Sequence, residues 1–154
     1  MPWVVGIDEA GYGPNLGPLV QTAVGLRLLD DDPAGWESLK DRIRRCREKA
    51  DGRLLVDDSK KVYSGVNAFA KLEAGAVGGL GIHRPTVGEL VTAVGLAGIA
   101  DRLAGESWYE PGATLDPVAA EPFEAVHVAA NLVPAPAFNA IVAGSGSKGT
   151  VLVG

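Results

Sequence analysis

Apolar positions open the chain without a break. Trp3, Val4, Val5, Gly6 and Ile7 leave neither alternating face polar, the pattern of a strand covered on both sides, so a central strand is predicted from Trp3 to Asp8. Leu19 to Leu28 is apolar again, with β-branched members, and predicts a second strand that pairs with the first as a hairpin. Asp30-Asp31-Asp32-Pro33 makes the next turn. Trp36, Leu39, Ile43 and Cys46 then recur at helical spacing and predict a helix to about Lys49, closed by Asp51-Gly52. The short run Leu54-Leu55-Val56 leads into Asp57-Asp58-Ser59-Lys60-Lys61, with a helix predicted from Val66 to Glu73.

The clearest helix start lies at Thr86, where Thr86-Val87-Gly88-Glu89 has the spacing of a capping box ahead of the apolar run from Leu90 to Leu103. Gly88, Gly95 and Gly98 weaken that helix, each by up to about 1 kcal/mol relative to alanine. Ala125 to Ala130 predicts another strand, and Pro134 and Pro136 stand at the start of a short helix through Val142. Beyond Gly144 the chain is glycine-rich, and apolar Val151-Leu152-Val153 has the look of an element cut off before it is buried. No internal repeat is visible.

The 154 residues suffice for one domain with a real core. Hydrophobic residues at 47% against 21% charged exclude disorder by composition. Cys46 is the single cysteine, which excludes an internal disulfide, a cysteine zinc site and a redox pair. The apolar run before Asp8 has no basic segment ahead of it, so no secretory signal is expected, and the stretch from Ala125 to Ser147 is interrupted by Asn131, Pro134, Pro136 and Asn139. A cytoplasmic protein without a membrane role is the expectation. Its oligomeric state is not legible.

Net charge is −5, yet nine of the 14 Lys and Arg residues lie between Lys40 and Lys61 against five acids, leaving that window at +4. A local basic surface can hold a phosphate backbone in an acidic protein. The plainer reading is a solvated helix face.

Candidate chemistry begins at the mouth of the first strand, where Asp8 and Glu9 run into Ala10-Gly11-Tyr12-Gly13-Pro14. A carboxylate leaving a buried strand needs a cation to meet it, and two neighbouring carboxylates need a strong one. A divalent metal ion is the simplest answer. The string Gly6 to Pro14, then Gly17-Pro18-Leu19-Val20, and further on Asp58-Ser59-Lys60-Lys61, resembles the ribonuclease HII family. Roughly Val4 to Leu28 and Leu54 to Tyr63 carry the match.

The resemblance implies a single α/β domain over 1–154 with a ribonuclease H-like fold, its mixed central sheet flanked by helices, and a lineage-specific insertion at about 84–124. It implies metal-dependent hydrolysis of the RNA strand, or of embedded ribonucleotides, in RNA-DNA duplexes. Four acids hold two Mg²⁺ or Mn²⁺ ions in that family, and by motif match Asp8 and Glu9 are the first two, catalytic and metal-ligating at once. Gly11, Tyr12 and Gly13 match the loop that reads the 2′-hydroxyl, although the family usually places an arginine where Tyr12 stands. Lys60 and Lys61 match lysines that approach the phosphate backbone; the alternative is an exposed pair, with Ser59 capping the helix behind them.

The two further metal-binding acids of the family have no motif counterpart. Asp101, Glu106, Asp116, Glu121 and Glu124 lie in the unmatched stretch, and no acid follows Glu124. Truncation before half the metal site is the simpler expectation. A second reading is a non-catalytic module that binds RNA-DNA hybrids through an incomplete metal site. Two phosphate-loop patterns are weak: Gly11 to Gly17 carries Leu16 where a dinucleotide fingerprint needs glycine, and Gly144 to Thr150 places Lys148 before its last glycine. His83 and His127 define no motif, and His127, within an alternating strand, is expected to be structural.

Overall fold

A computed structural model describes residues 3–10, 17–27, 32, 36–80, 86–115 and 126–147. In chain order the elements are β1 (Trp3–Ala10), β2 (Leu19–Arg27), α1 (Trp36–Leu39), β3 (Ile43–Arg44), β4 (Leu54–Leu55), α2 (Ser59–Val62), α3 (Ala68–Leu80), α4 (Val87–Ala93), α5 (Ala100–Leu103), β5 (Val126–Val133) and α6 (Ala135–Ser145), with a 3-10 turn at Ala97–Ile99. The architecture is mixed α/β. Among the described residues the main sheet is antiparallel throughout, in the order β1-β2-β5, and parallel pairing is confined to the separate pair β3-β4.

β1 and β2 form the expected hairpin, with Asp8 opposite Thr22 and Glu9 opposite Gln21. β5 lies along the other side of β2, so Ala130 follows Thr22 and Asn131 follows Gln21 across the sheet. That arrangement corrects the expectation of a central, covered β1. With β5 beyond β2, β1 is left at the edge of the described sheet, and every one of its residues is exposed, Ile7 to 76% and Val5 to 60%.

The helix expected from Trp36 to Lys49 is a single turn. Arg53 takes the carbonyls a longer helix would use, donating from Nη1 to Lys40 O at 2.8 Å and Ile43 O at 3.2 Å. The chain instead extends, with Leu54 N donating to Arg42 O and Val56 N to Arg44 O. Ile43 and Leu54 are buried by this pairing. The next helix starts at Ala68 rather than Val66, because Gly65 and Asn67 hold φ of 69° and 57°, in the left-handed region that interrupts a right-handed helix.

Thr86 makes the predicted capping box: its Oγ1 accepts from Glu89 N at 3.2 Å, and the Glu89 carboxylate accepts from Thr86 N at 2.7 Å. The helix behind it does not run unbroken to Leu103. Gly95 turns left-handed at φ 82°, ending α4, and the chain re-forms as the 3-10 turn and α5. β5 and α6 match expectation closely, with Pro134 as N-cap and Gly146 as a left-handed C-cap at φ 78°. That cap places Gly144 and Ser145 in a helix rather than in a phosphate loop. Val151 to Val153 lie outside the described residues. No described helix is long and apolar enough to cross a membrane.

The core gathers Leu19, Val62, Val77, Leu96, Leu103 and Phe138. Between the inner face of β2 (Val20, Thr22, Val24, Leu26) and helices α3 and α4 an apolar space of about 560 Å³ remains. Phe138 on α6 is 1% exposed. Phe138→Ala should therefore cost about 3–5 kcal/mol of stability, read from the urea midpoint at constant slope, whereas a loss under about 1 kcal/mol would contradict its packing.

Candidate functional site

Alternation along β1 decides what Asp8 and Glu9 can do. Successive strand residues point to opposite faces. Asp8 shares the face of Thr22 and Ala130, which bounds the apolar space; Glu9 shares the other face with Gln21 and Asn131, whose side chains are joined by Asn131 Nδ2 donating to Gln21 Oε1 at 3.1 Å. Both residues are still within the ladder, so an ion shared by both side chains requires the last residues of β1 to leave it.

Both carboxylates are exposed, and Asp8 Oδ1 accepts from the amide of Glu9 at 3.0 Å. Water solvates them. The expectation that burial compels a cation to meet them is therefore corrected: the strand is an edge of the described sheet with both carboxylates exposed, and desolvation supplies no such demand. The donor chemistry, two hard oxygen ligands, suits Mg²⁺ or Mn²⁺. Among the described residues, however, no group of three or more potential ligands assembles, so a two-ion site is not completed by them. Asp101 and Glu106 do not join the pair, and Asp116, Glu121 and Glu124 lie outside the described residues, as do Gly11, Tyr12 and Gly13.

Lys60 and Lys61 are exposed on the single turn of α2. The cap is Asp58 and not Ser59: Asp58 Oδ1 accepts from Lys60 N at 2.9 Å. Ahead of it, Asp57 is the joint of this region, a residue the sequence reading counted only as charge. Its carboxylate accepts from Asp58 N at 2.8 Å and from Cys46 N at 3.1 Å, and Lys61 Nζ sits 3.3 Å away. These amides, with Lys61 adding to them, hold its pKa down to about 2 against burial, which opposes. The Asp-Asp pair ahead of Ser59 was the available signal. Among the described residues no hydrogen bond or ion pair joins Asp8 or Glu9 to Lys60 or Lys61.

The rest of the basic window is a stapled turn. Arg53 binds Asp51 in bidentate fashion, with Nε to Oδ1 at 3.1 Å and to Oδ2 at 3.0 Å and Nη2 to Oδ2 at 2.9 Å, and its Nη2 also meets Glu48 Oε2 at 3.0 Å. Arg45 N donates to Glu48 Oε1 at 3.1 Å, and this amide, with Arg53, holds the Glu48 carboxyl below its usual range. Cys46 is exposed and unpaired by any disulfide. His127, itself exposed, meets the Trp3 ring with centroids 5.1 Å apart and planes tilted by 53°.

Comparison with protein-family models, curated proteins and solved structures finds no match to the chain.

A carboxylate with a depressed folded-state pKa stabilises the fold above its unfolded value and loses that contribution as pH falls through the folded one. For Asp57 the window runs from its ordinary 3.8 down to about 2. Asp57→Asn should thus lower the urea midpoint at pH 6, and the gap from wild type should narrow as pH falls towards 2. A gap independent of pH over this range would contradict the role of its charge.

Proposed function

We propose that this chain is a ribonuclease H-like domain of the ribonuclease HII type, a Mg²⁺- or Mn²⁺-dependent hydrolase acting on the RNA strand, or on embedded ribonucleotides, of RNA-DNA duplexes. The observation that carries the reading is the order and spelling of two strings, Gly6 to Pro14 and Asp58 to Lys61. Two features of the geometry support it. The hairpin presents Asp8 and Glu9 at an open sheet edge, where a polyanion and its counter-ions have access. The Asp57 and Asp58 carboxylates tie down the backbone of the Ser59 turn, leaving the exposed Lys60 head to solvent and the Lys61 head, still largely exposed, beside Asp57, where phosphates can reach them.

A divalent ion bound at the acidic pair would supply charge neutralisation and an activated water; the chain's own groups bind and orient the duplex. Lys60 and Lys61 act as positioning charges without sequence preference, and Gly11, Tyr12 and Gly13 are assigned the sugar. The protein is expected to be cytoplasmic and its partner an RNA-DNA hybrid or ribonucleotide-containing duplex.

A second reading, a module that binds hybrids without cutting them, is favoured by one observation: the described residues bring together no third acidic ligand. Turnover separates the two. Asp8→Asn should abolish Mg²⁺-dependent cleavage of a labelled RNA-DNA hybrid while leaving the circular dichroism spectrum and the hybrid affinity near those of wild type. Undiminished cutting by the variant would refute the role of Asp8. Saturable hybrid binding by wild type with no cutting under Mg²⁺ or Mn²⁺ would select the module.

A further inference from the structure

The turn that links β3 to β4 encloses a second charged feature. A pocket of about 320 Å³ is lined by five cationic side chains and only two carboxylates, Glu37 and Glu48. Those carboxylates already have partners. Glu37 is paired with Lys40 at 3.0 Å, and Glu48 is held by Arg53 and by the Arg45 amide. Arg44 is different. Its Nε is buried and has no acceptor, although a buried guanidinium N–H is a strong, directional donor. Arg47, exposed on the same turn, makes no ion pair among the described residues.

Such a pocket has surplus positive charge and a fixed backbone, the conditions under which arginine takes an oxyanion. Rigidity comes from Arg53, whose guanidinium clamps Asp51, Glu48, Lys40 O and Ile43 O together and so is itself unavailable to a ligand. Arg44 and Arg47 remain as lining cations that make no ion pair among the described residues.

The pocket is also coupled in space to the lysine turn. Cys46, between Arg45 and Arg47, donates its amide to Asp57, and Asp57 lies one residue before the cap of α2. The arginines and Lys60-Lys61 are therefore two basic patches mounted on one carboxylate. A single small anion can occupy only the first; a repeating polyanion can engage both.

We infer that this arginine pocket binds a backbone phosphate of the nucleic-acid duplex, as a docking site apart from Asp8 and Glu9. The inference rests on the nucleic-acid reading proposed above and deepens it by naming a phosphodiester contact outside the two matched strings. Arg44 and Arg47 are positioning residues here: they hold the strand and touch no reacting atom.

The test is fluorescence anisotropy of a labelled RNA-DNA hybrid against the full chain at several salt concentrations, for wild type, Arg44→Gln, Arg47→Gln and the control Arg102→Gln on α5. Loss of one phosphate contact should weaken binding about five- to tenfold at low salt and reduce the slope of log K against log salt by about 0.9, equally for hybrids of different sequence. Arg102→Gln should change neither. Because Arg47 is exposed, its variant keeps the test valid if Arg44→Gln fails to fold. Cleavage kinetics should show KM raised and kcat retained in both.

Unchanged slopes in Arg44→Gln and Arg47→Gln, with wild type still binding and cutting, would overturn the pocket and leave the proposed function standing. An equal effect of Arg102→Gln would overturn it as diffuse electrostatics. Titration with inorganic phosphate provides the other arm: saturable phosphate binding at Arg44 by a protein that has no hybrid affinity would overturn the backbone assignment in favour of a small-anion site. Reduced slopes with no cutting by wild type would support the pocket and remove the nuclease.

Discussion

Register between β1 and β2 is the constraint on which the candidate chemistry depends. Asp8 faces Thr22 and Glu9 faces Gln21, and a shift by one residue would exchange their faces. Two acids adjacent in sequence are thereby separated by the sheet itself. One looks along the wall of an apolar space; the other joins a polar row that continues through Gln21 to Asn131. Either carboxylate alone is a weak ligand in water, and the proposed shared ion would require the last residues of β1 to leave the ladder. The mouth of β1 is therefore both the geometric limit and the chemical opportunity of this hairpin.

Electrostatics elsewhere follow a different logic. The chain is acidic overall, but its cations are concentrated in one stretch and sorted by role. Arg53 is structural, satisfied by Asp51, Glu48 and two carbonyls. Asp57 is structural too, collecting amides from both sides of the β3-β4 pair's continuation. These acids neutralise the residues that build the turn, and the exposed Arg47 and Lys60 stand outside those ion pairs. A surface of this type attracts phosphate locally without a basic protein around it.

How much was legible in the sequence depended on whether neighbours or distant partners decide the outcome. The hairpin, the capping box at Thr86, β5 and the Pro134 helix start follow from local patterns, and each formed where expected. The failures share a cause. Trp36 to Lys49 has helical spacing, but Arg53, distant in sequence, takes the carbonyls of Lys40 and Ile43. The run from Leu90 reads as one helix until Gly95 adopts a left-handed conformation. β1 reads as central because both its faces are apolar, while sheet order is a matter of which strand lies beyond β2. Asp8, Glu9, Lys60 and Lys61 were found as strings; their mutual arrangement was not, since a string carries no register. Arg44 and Asp57 were hidden within a charge run, where only the fold distinguishes a solvated side chain from one with a buried donor or a pair of captured amides.

The proposed nuclease activity requires a divalent cation at the end of β1. Its most direct test is a Mn²⁺ titration of the isotopically labelled wild-type chain, followed through paramagnetic broadening of backbone amide signals in the presence of an uncleavable hybrid. The expected result is saturable broadening centred on Asp8 to Ala10 and the facing Gln21 and Thr22, reversed by a chelator. Broadening that never saturates, or that centres elsewhere while these amides stay sharp, would contradict it.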